Sequence, residues 1–187
     1  MFHADALSFP RAPSLRSTYA GEMLQVFAVS VVIALFGSIS IPLPFTPVPL
    51  ATQPHVIVFF AALLGSRKAF FATLLFLVEG ALGFPVFSGA KGGMVCLAGP
   101  TGGYLLGYLV SAYVVGYLVE RRKEYSSLQM FCSLAIGNMV IYLFGWAWLS
   151  TFVGYAKAAA LGVLPFLVGD LLKIVAVQKL LKRKKPL

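Results

Sequence analysis

Long apolar runs, separated by short polar or charged segments, make up most of this chain. Six such runs occupy residues 23–41, 54–65, 69–82, 101–119, 128–152 and 159–181. A helix needs about 20 mostly apolar residues to cross the hydrocarbon core of a bilayer. The pattern therefore predicts an all-α membrane protein in which residues 23–181 form one domain of six transmembrane helices.

Composition supports this class and excludes two others. Hydrophobic residues make up 59% of the chain and charged residues only 11%, with a net charge of +9. A soluble domain carries roughly a quarter charged residues, and a disordered chain has low hydrophobicity, so neither class fits. The positive charge does not indicate nucleic-acid binding, because the cations cluster between the apolar runs, where they usually report membrane topology.

The distribution of these cations predicts the orientation in the cell membrane. With six spans, 12 of the 15 cations fall on one side, which carries segment 1–22, the loops at Arg67 and Arg121, and the basic tail 182–187. Cytoplasmic segments are the ones enriched in Lys and Arg. Both termini are therefore predicted to be cytoplasmic.

The two loops on the opposite side predict where a ligand binds. Four prolines in residues 42–49 exclude a helix interior, and residues 83–100 are rich in glycine. Irregular backbone at membrane depth persists only where it is buried in protein or lines a cavity. A ligand pocket is therefore predicted on the outer side of the membrane.

Asp170 and Lys173 are the ionisable pair of the last apolar run. They are three residues apart, so they share one face of a helix. A charge at the bilayer centre costs about 2.5–3.5 kcal/mol on insertion scales, so we expect both side chains to face the helix bundle. Two interpretations stay open: a structural ion pair, or a pair that also binds a polar ligand.

Other polar positions also have two interpretations. Lys91 is either a solvated loop lysine or a cation at the pocket mouth, suited to an anionic ligand group. Gln53 either begins a helix or offers its amide to a ureido or amide ligand, since an amide both donates and accepts. Tyr142 lies deeper in its run and is a candidate pocket wall. Ser30 and Ala34 let the first helix pack closely, either within the chain or against another membrane protein.

The sequence contains no constellation that indicates catalysis. Its glycine-rich stretches do not match the phosphate-binding pattern G-x-x-x-x-G-K-[ST], which lies between a strand and a helix. No Ser or Cys stands beside a candidate base, and His55 has no second ligand at metal-binding spacing. We therefore expect a protein that is not an enzyme and that uses neither a metal nor a cofactor.

Five segments together resemble the BioY family, the biotin-specific substrate-binding (S) subunits of energy-coupling factor (ECF) transporters. They are SIPLPFTPVP at 40–49, GALGFPVF at 80–87, GPTGGYLLG at 99–107, IYLFG at 141–145 and LPFLVGDLLK at 164–173. The resemblance runs in order from about residue 23 to residue 181. It implies a six-helix membrane fold that binds biotin near its outer face, energised by a transmembrane coupling subunit and two ATP-binding subunits.

The resemblance also implies a set of contact residues. Ligand contacts are expected at Asp170 and Lys173, at Gln53, and at Lys91 and Gly93 in the glycine-rich residues 83–100, here called the glycine loop. Asp170 would accept from the ureido N–H groups of biotin, Lys173 and Gln53 would donate to its carbonyl, and Lys91 would bind its carboxylate. The thiophane ring would lie against Tyr104 and Tyr142. The coupling subunit would dock on the first helix, at Ser30 and Ala34.

Rival functions remain within and beyond transport. A stand-alone biotin carrier, or an S subunit for another vitamin, would share these features. An intramembrane enzyme is disfavoured because it needs a nucleophile and base or a metal set. A purely structural scaffold would not retain Asp170 and Lys173 within the membrane.

Overall fold

The structure is a computed structural model that describes residues 7–8, 19–37, 39–121 and 124–183. Eight helices and four two-residue strands occur within these ranges. The helices are α1 Tyr19–Gly37, α2 Gln53–Leu64, α3 Ser66–Ala81, α4 Met94–Ala98, α5 Gly102–Glu120, α6 Ser127–Val153, α7 Tyr155–Gly162 and α8 Leu167–Arg183. The strands are β1 Leu7–Ser8, β2 Ser40–Ile41, β3 Leu50–Ala51 and β4 Glu124–Tyr125.

The strands form two small antiparallel pairs that close loops rather than build a sheet. Strand β2 pairs with β3, with Ser40 opposite Ala51, so residues 42–49 project as a closed loop, here called the proline loop. Strand β1 pairs with β4, with Leu7 opposite Tyr125. The proline loop itself is not helical, as its four prolines predict.

Five of the six predicted helices are present, with ends displaced by only a few residues. The sixth predicted helix, over residues 159–181, is divided in the structure, where α7 and α8 meet at a bend of 47°. Pro165 lies in the break, and its missing N–H cannot continue the helical hydrogen-bond ladder. Residues 83–100 also differ from a plain loop, since they contain the single-turn helix α4.

Side chains from distant elements stabilise the break between α7 and α8. The Thr46 hydroxyl donates to the carbonyl of Leu161 at 2.8 Å, and the Tyr104 hydroxyl donates to the carbonyl of Gly162 at 2.8 Å. A helix end leaves its last carbonyls without helical partners, and buried carbonyls need replacements. The break is therefore a specific structure with its own hydrogen bonds.

Helix α5 lies at the centre of the packing and contacts α2, α3 and α6. Close approach is possible because glycines face its neighbours. A Cβ atom at Gly116 would lie 2.3 Å from the backbone nitrogen of Ser66, and one at Gly137 would lie 2.3 Å from a Val115 methyl carbon. Without a hydrophobic driving force between helices in lipid, such small residues are what allow tight packing.

Three helices in the described part of the chain, α1, α5 and α6, are long and apolar enough to cross a membrane. The bent pair α7 and α8 makes a fourth candidate when taken as one span. Helix α2 has 12 residues, and at 1.5 Å per residue it is shorter than a hydrocarbon core of about 30 Å. Large apolar side chains such as Leu24, Met139 and Leu172 are exposed on the outside of the bundle, as lipid contact requires.

Several cations that predict the orientation lie outside the described residues. They are Arg11, Arg16, Arg122, Lys123, Lys184 and Lys185. Most of segment 1–22 and the last four residues of the tail 182–187 also lie outside the described ranges.

The contact at Gly116 gives a prediction about stability. Gly116→Ala should lower the free energy of unfolding by about 1–3 kcal/mol, because the added methyl group meets the Ser66 backbone and overpacks the interface. Thermal unfolding of the detergent-solubilised protein measures this change. Gly169→Ala is the matched control, since a Cβ there meets nothing within 4 Å and alanine favours a helix. Equal stability of the two variants would contradict the packing described.

Candidate functional site

A cavity of about 360 Å³ lies between the proline loop, the glycine loop and helices α5, α6 and α8. Its size falls within the roughly 300–1,000 Å³ typical of small-ligand sites. Most of its wall is apolar, with a few polar groups. The lining includes Pro47, Val48, Phe87, Lys91, Cys96, Tyr104, Tyr108, Asn138, Tyr142, Phe166 and Asp170.

Asp170 is the buried acid of this cavity, with 7% of its surface exposed. Its carboxylate is held from two sides. The Tyr142 hydroxyl donates to Oδ2 at 2.5 Å, and the Lys173 ammonium donates to Oδ1 at 3.0 Å. Asp170 lies in the first turn of α8, where the helix dipole favours a negative charge. A buried carboxylate offers about four acceptor positions, so two remain for other donors.

Lys173 connects this acid to the proline loop. The prediction that it shares a helix face with Asp170 is confirmed by their ion pair. Its Nζ also donates to the carbonyl of Ala51 in β3 at 3.2 Å. The lysine is absent from the described cavity wall, but both of its partners, Asp170 and Ala51, line the cavity, so its ammonium lies next to that wall.

The two predicted wall tyrosines both line the cavity. Tyr104 is buried against glycines: Cβ atoms at Gly145 and Gly162 would each lie 2.2 Å from its ring or hydroxyl. Its hydroxyl bond to Gly162 couples the wall to the break between α7 and α8. Tyr142 combines the two roles of wall and hydrogen-bond partner of Asp170.

The glycine loop contributes one of its two predicted residues. Lys91 is exposed and lines the cavity, in a tight antiparallel turn with Phe87. Gly93 is absent from the described lining of the cavity. Its role is conformational, since its φ of 95° is one that residues with a side chain rarely adopt. Its N–H donates to the carbonyl of Gly80 at 2.7 Å and fixes the start of α4.

The structure gives Gln53 internal partners, and its expected ligand contact stays a prediction without support from the cavity. Its side chain is fully buried and, among the described residues, does not line the cavity. The amide Nε2 donates to the carbonyls of Ile33 and Val86, at 3.3 and 2.9 Å, and Oε1 accepts from the Ser88 hydroxyl at 3.2 Å. With donors and acceptor occupied, Gln53 ties α1 and the glycine loop to α2.

The structure gives the Ser30 side chain an internal contact, and its expected docking role stays a prediction. Ser30 is fully buried, and its hydroxyl donates to Glu79 of α3 at 2.8 Å. The small residue thus serves packing between α1 and α3. Ala34 is partly buried against the core, and its docking role stays a prediction.

Three polar residues at or near the site escaped prediction. Asn138 and Tyr108 line the cavity from α6 and α5. His55 lies in the first turn of α2 with its Nε2 3.7 Å from Asp170 Oδ1. Asn138 had a usable signal, because a carboxamide within an apolar run is costly unless it has a purpose. Tyr108 and His55 carry no such signal, because only the structure shows that Tyr108 lines the cavity and that His55 lies near Asp170.

Within the described ranges, no group of three or more His, Cys, Asp or Glu side chains is placed so that it could hold a metal ion.

Comparison with known proteins places this architecture in a family. Residues 10–187 match the model of the BioY family. The chain belongs to the BioY family. Its relatives in that family include a protein of Pyrococcus horikoshii named "Probable biotin transporter BioY", 37% identical over 80% of this chain and 88% of that protein. The "Biotin transporter BioY" of Thermotoga maritima is 35% identical, over 89% of this chain and 96% of that protein.

A solved structure shows the same fold. The crystal structure of the S-component for biotin from an ECF-type ABC transporter superposes with a TM-score of 0.79 and 24% sequence identity, covering 88% of this chain and 90% of that chain. The named relatives are transporters rather than enzymes. With several apolar helices and this family membership, the chain is a multi-pass protein of the cell membrane.

Tyr104 provides a test of how this BioY protein holds its cavity wall. Tyr104→Phe should lower the free energy of unfolding by about 1–3 kcal/mol, because the buried carbonyl of Gly162 loses its donor. The midpoint of thermal unfolding reports the change. Tyr113→Phe is the control, since Tyr113 is 46% exposed and the same hydroxyl loss there should have little effect. A Tyr104→Phe protein as stable as the control would remove the hydroxyl from this role.

Proposed function

We propose that this chain captures biotin from outside the cell, as the substrate-binding S subunit of an ECF transporter. The observation that carries the proposal is a mostly apolar cavity that ends on one buried, hydrogen-bonded acid, Asp170. The names of the BioY relatives and of the superposed S-component support biotin as the ligand.

The ureido ring of biotin suits the Asp170 end of the cavity. This ring has two N–H donors and one carbonyl acceptor. The open acceptor positions of the Asp170 carboxylate match the N–H groups, and the Lys173 ammonium is a donor for the carbonyl. A ligand group that uses both would pair the open positions of the Asp170 carboxylate, and a ligand without such donors would leave them unpaired, which is a main source of discrimination in such sites.

The remaining parts of biotin suit the rest of the wall. The thiophane ring is apolar and matches Tyr104, Tyr142 and Phe166. The valerate chain ends in a carboxylate, for which Lys91 offers a cation at the exposed edge of the cavity. Biotin would therefore lie with its ureido ring inward and its carboxylate outward.

The proposed topology has six membrane segments, formed by α1, α2, α3, α5, α6 and the bent pair α7 and α8, within residues 23–181. Both termini would be cytoplasmic, and the proline loop and glycine loop would face outside. The positive-inside rule supports this arrangement. Arg67 and Lys68 lie at the start of α3, and Arg121 follows the end of α5, so these cations are at the helix ends away from the glycine loop.

The proposed partners are a transmembrane coupling subunit and two ATP-binding subunits. The sequence has no phosphate-binding loop of its own, so ATP-driven transport would need separate ATPases. Ala34 and the exposed apolar side of α1 are the proposed docking surface. Co-purification with coupling and ATP-binding subunits would distinguish this assembly from a stand-alone biotin carrier.

The ligand proposal predicts the effect of removing the buried charge. The purified protein should bind biotin, and Asp170→Asn should weaken binding at least tenfold, about 1.4 kcal/mol, because a charge-assisted acceptor is lost. Isothermal titration calorimetry against biotin, riboflavin and thiamine measures both affinity and ligand choice.

Glu22→Gln is the matched control for that variant. It removes one carboxylate charge outside the cavity, where Glu22 forms an ion pair with Lys68. Biotin affinity of this variant should equal that of the unmodified protein. Unchanged affinity of Asp170→Asn would remove Asp170 from the site, and tight binding of another vitamin with no binding of biotin would overturn the ligand assignment.

The topology proposal predicts which cysteine is reachable from outside the cell. A membrane-impermeant thiol reagent should label Cys96, which lines the cavity, and should not label Cys132, near the start of α6. Labelling of intact cells that express the single-cysteine variants Cys132→Ser and Cys96→Ser measures the two sites separately. Saturating biotin should slow the labelling of Cys96. Labelling of Cys132 alone would reverse the orientation.

A further inference from the structure

His55 is a buried polar side chain that the site as described does not use. Only 5% of its surface is exposed, and neither ring nitrogen has a hydrogen-bond partner among the described residues. Buried polar groups in proteins are nearly always hydrogen-bonded, and leaving one unpaired costs free energy. An imidazole in this position therefore needs an explanation.

The geometry around His55 points to Asp170. Nε2 lies 3.7 Å from Asp170 Oδ1, too far for a hydrogen bond but close enough that a shift of about 1 Å would form one. His55 is absent from the described wall of the cavity, so it lies behind the acid rather than beside the ligand. The same Oδ1 atom accepts from Lys173 at 3.0 Å, which places two donors near one oxygen.

We propose that His55 is a positioning residue that replaces Lys173 as the donor to Asp170 when biotin binds. This inference rests on the proposed function. The ureido carbonyl of biotin needs a donor, and Lys173 is the cation next to the acid that receives the ureido N–H groups. When the Lys173 ammonium turns toward that carbonyl, its bond to Oδ1 is lost. His55 then donates its Nε2–H to Oδ1, so that the carboxylate stays in place under the ligand.

The exchange explains why the His55 ring has no partner and why two donors lie near one oxygen of Asp170. In the structure Lys173 stabilises the acid, and the imidazole has no hydrogen-bond partner among the described residues. With biotin bound, each of the three donors around Asp170 has an acceptor: Tyr142 and His55 donate to Asp170, and Lys173 donates to the ligand. The free energy recovered by pairing the His55 ring then contributes to ligand affinity.

A spectroscopic experiment tests the exchange directly. The chain has two histidines, His3 and His55, so a His3→Gln protein labelled with ¹⁵N-histidine reports on His55 alone. Biotin addition should shift the Nε2 resonance and yield an Nε2–H proton protected from solvent exchange. The Asp170→Ala variant, which has no acceptor at this position, should show no such protected proton at saturating biotin. A His55 spectrum that does not change while calorimetry shows biotin bound would overturn the inference.

Substitutions at His55 give a second, independent readout. His55→Leu should weaken biotin binding about tenfold, because Asp170 loses its replacement donor. His55→Gln keeps an N–H donor at similar reach and should bind within about threefold of the unmodified protein. Equal losses in the two variants, with both folded, would assign His55 to packing only. If His55→Leu does not fold, the spectroscopic result decides.

The outcomes separate the inference from the function on which it rests. If the unmodified protein does not bind biotin, the proposed function fails. If it binds biotin while His55 keeps its ligand-free spectrum, the proposed function stands and the positioning role of His55 is wrong.

Discussion

The buried carboxylate of Asp170 is the constraint on which the rest of this structure depends. An ionised group away from water must be compensated, and here the compensation comes from three directions: Tyr142 on α6, Lys173 one turn further along α8, and the start of α8 itself. The Tyr142 contact joins α8 to α6, and Lys173 also bonds to Ala51 and so joins α8 to β3. The acid that gives the cavity its chemistry therefore also specifies how the last helix packs.

The break before α8 follows from the same requirement. A straight helix through residues 159–181 would have no free N-terminal turn at Asp170 and no carbonyls available to Thr46 and Tyr104. Pro165 ends the hydrogen-bond ladder, and the two hydroxyl groups satisfy the carbonyls of Leu161 and Gly162. The glycines opposite Tyr104 leave room for the ring that makes one of these bonds. Pro165, the two hydroxyl groups and the packed ring of Tyr104 therefore act together to define the break between α7 and α8.

Sequence patterns predicted most of the helices and the pairing of Asp170 with Lys173, for reasons that are local. Apolar runs and prolines act on the residues that carry them, and the i, i+3 spacing alone puts Asp170 and Lys173 together. For Gln53 and Ser30 the sequence leaves two interpretations open, because a polar group in an apolar protein serves equally well as a contact to a ligand or partner or as an internal hydrogen-bonding group. Only the packing shows that Gln53 bonds to Ile33 and Val86, and Ser30 to Glu79. His55 was beyond reach for the same reason, since its neighbour is 115 residues away in the chain.

The proline loop has a kinetic consequence. Its prolines restrict the backbone before any ligand arrives, and hydrogen bonds hold it at two places: Thr46, in its middle, bonds to α7, and Ala51, just beyond its end in β3, bonds to Lys173. A wall that is already ordered loses little conformational entropy when it closes on a small molecule, so more of the contact energy remains as affinity. Changes in such contacts act mainly on how long the complex lives rather than on how quickly it forms. For the proposed capture of biotin, a wall that is ordered in advance would therefore favour slow release of the ligand.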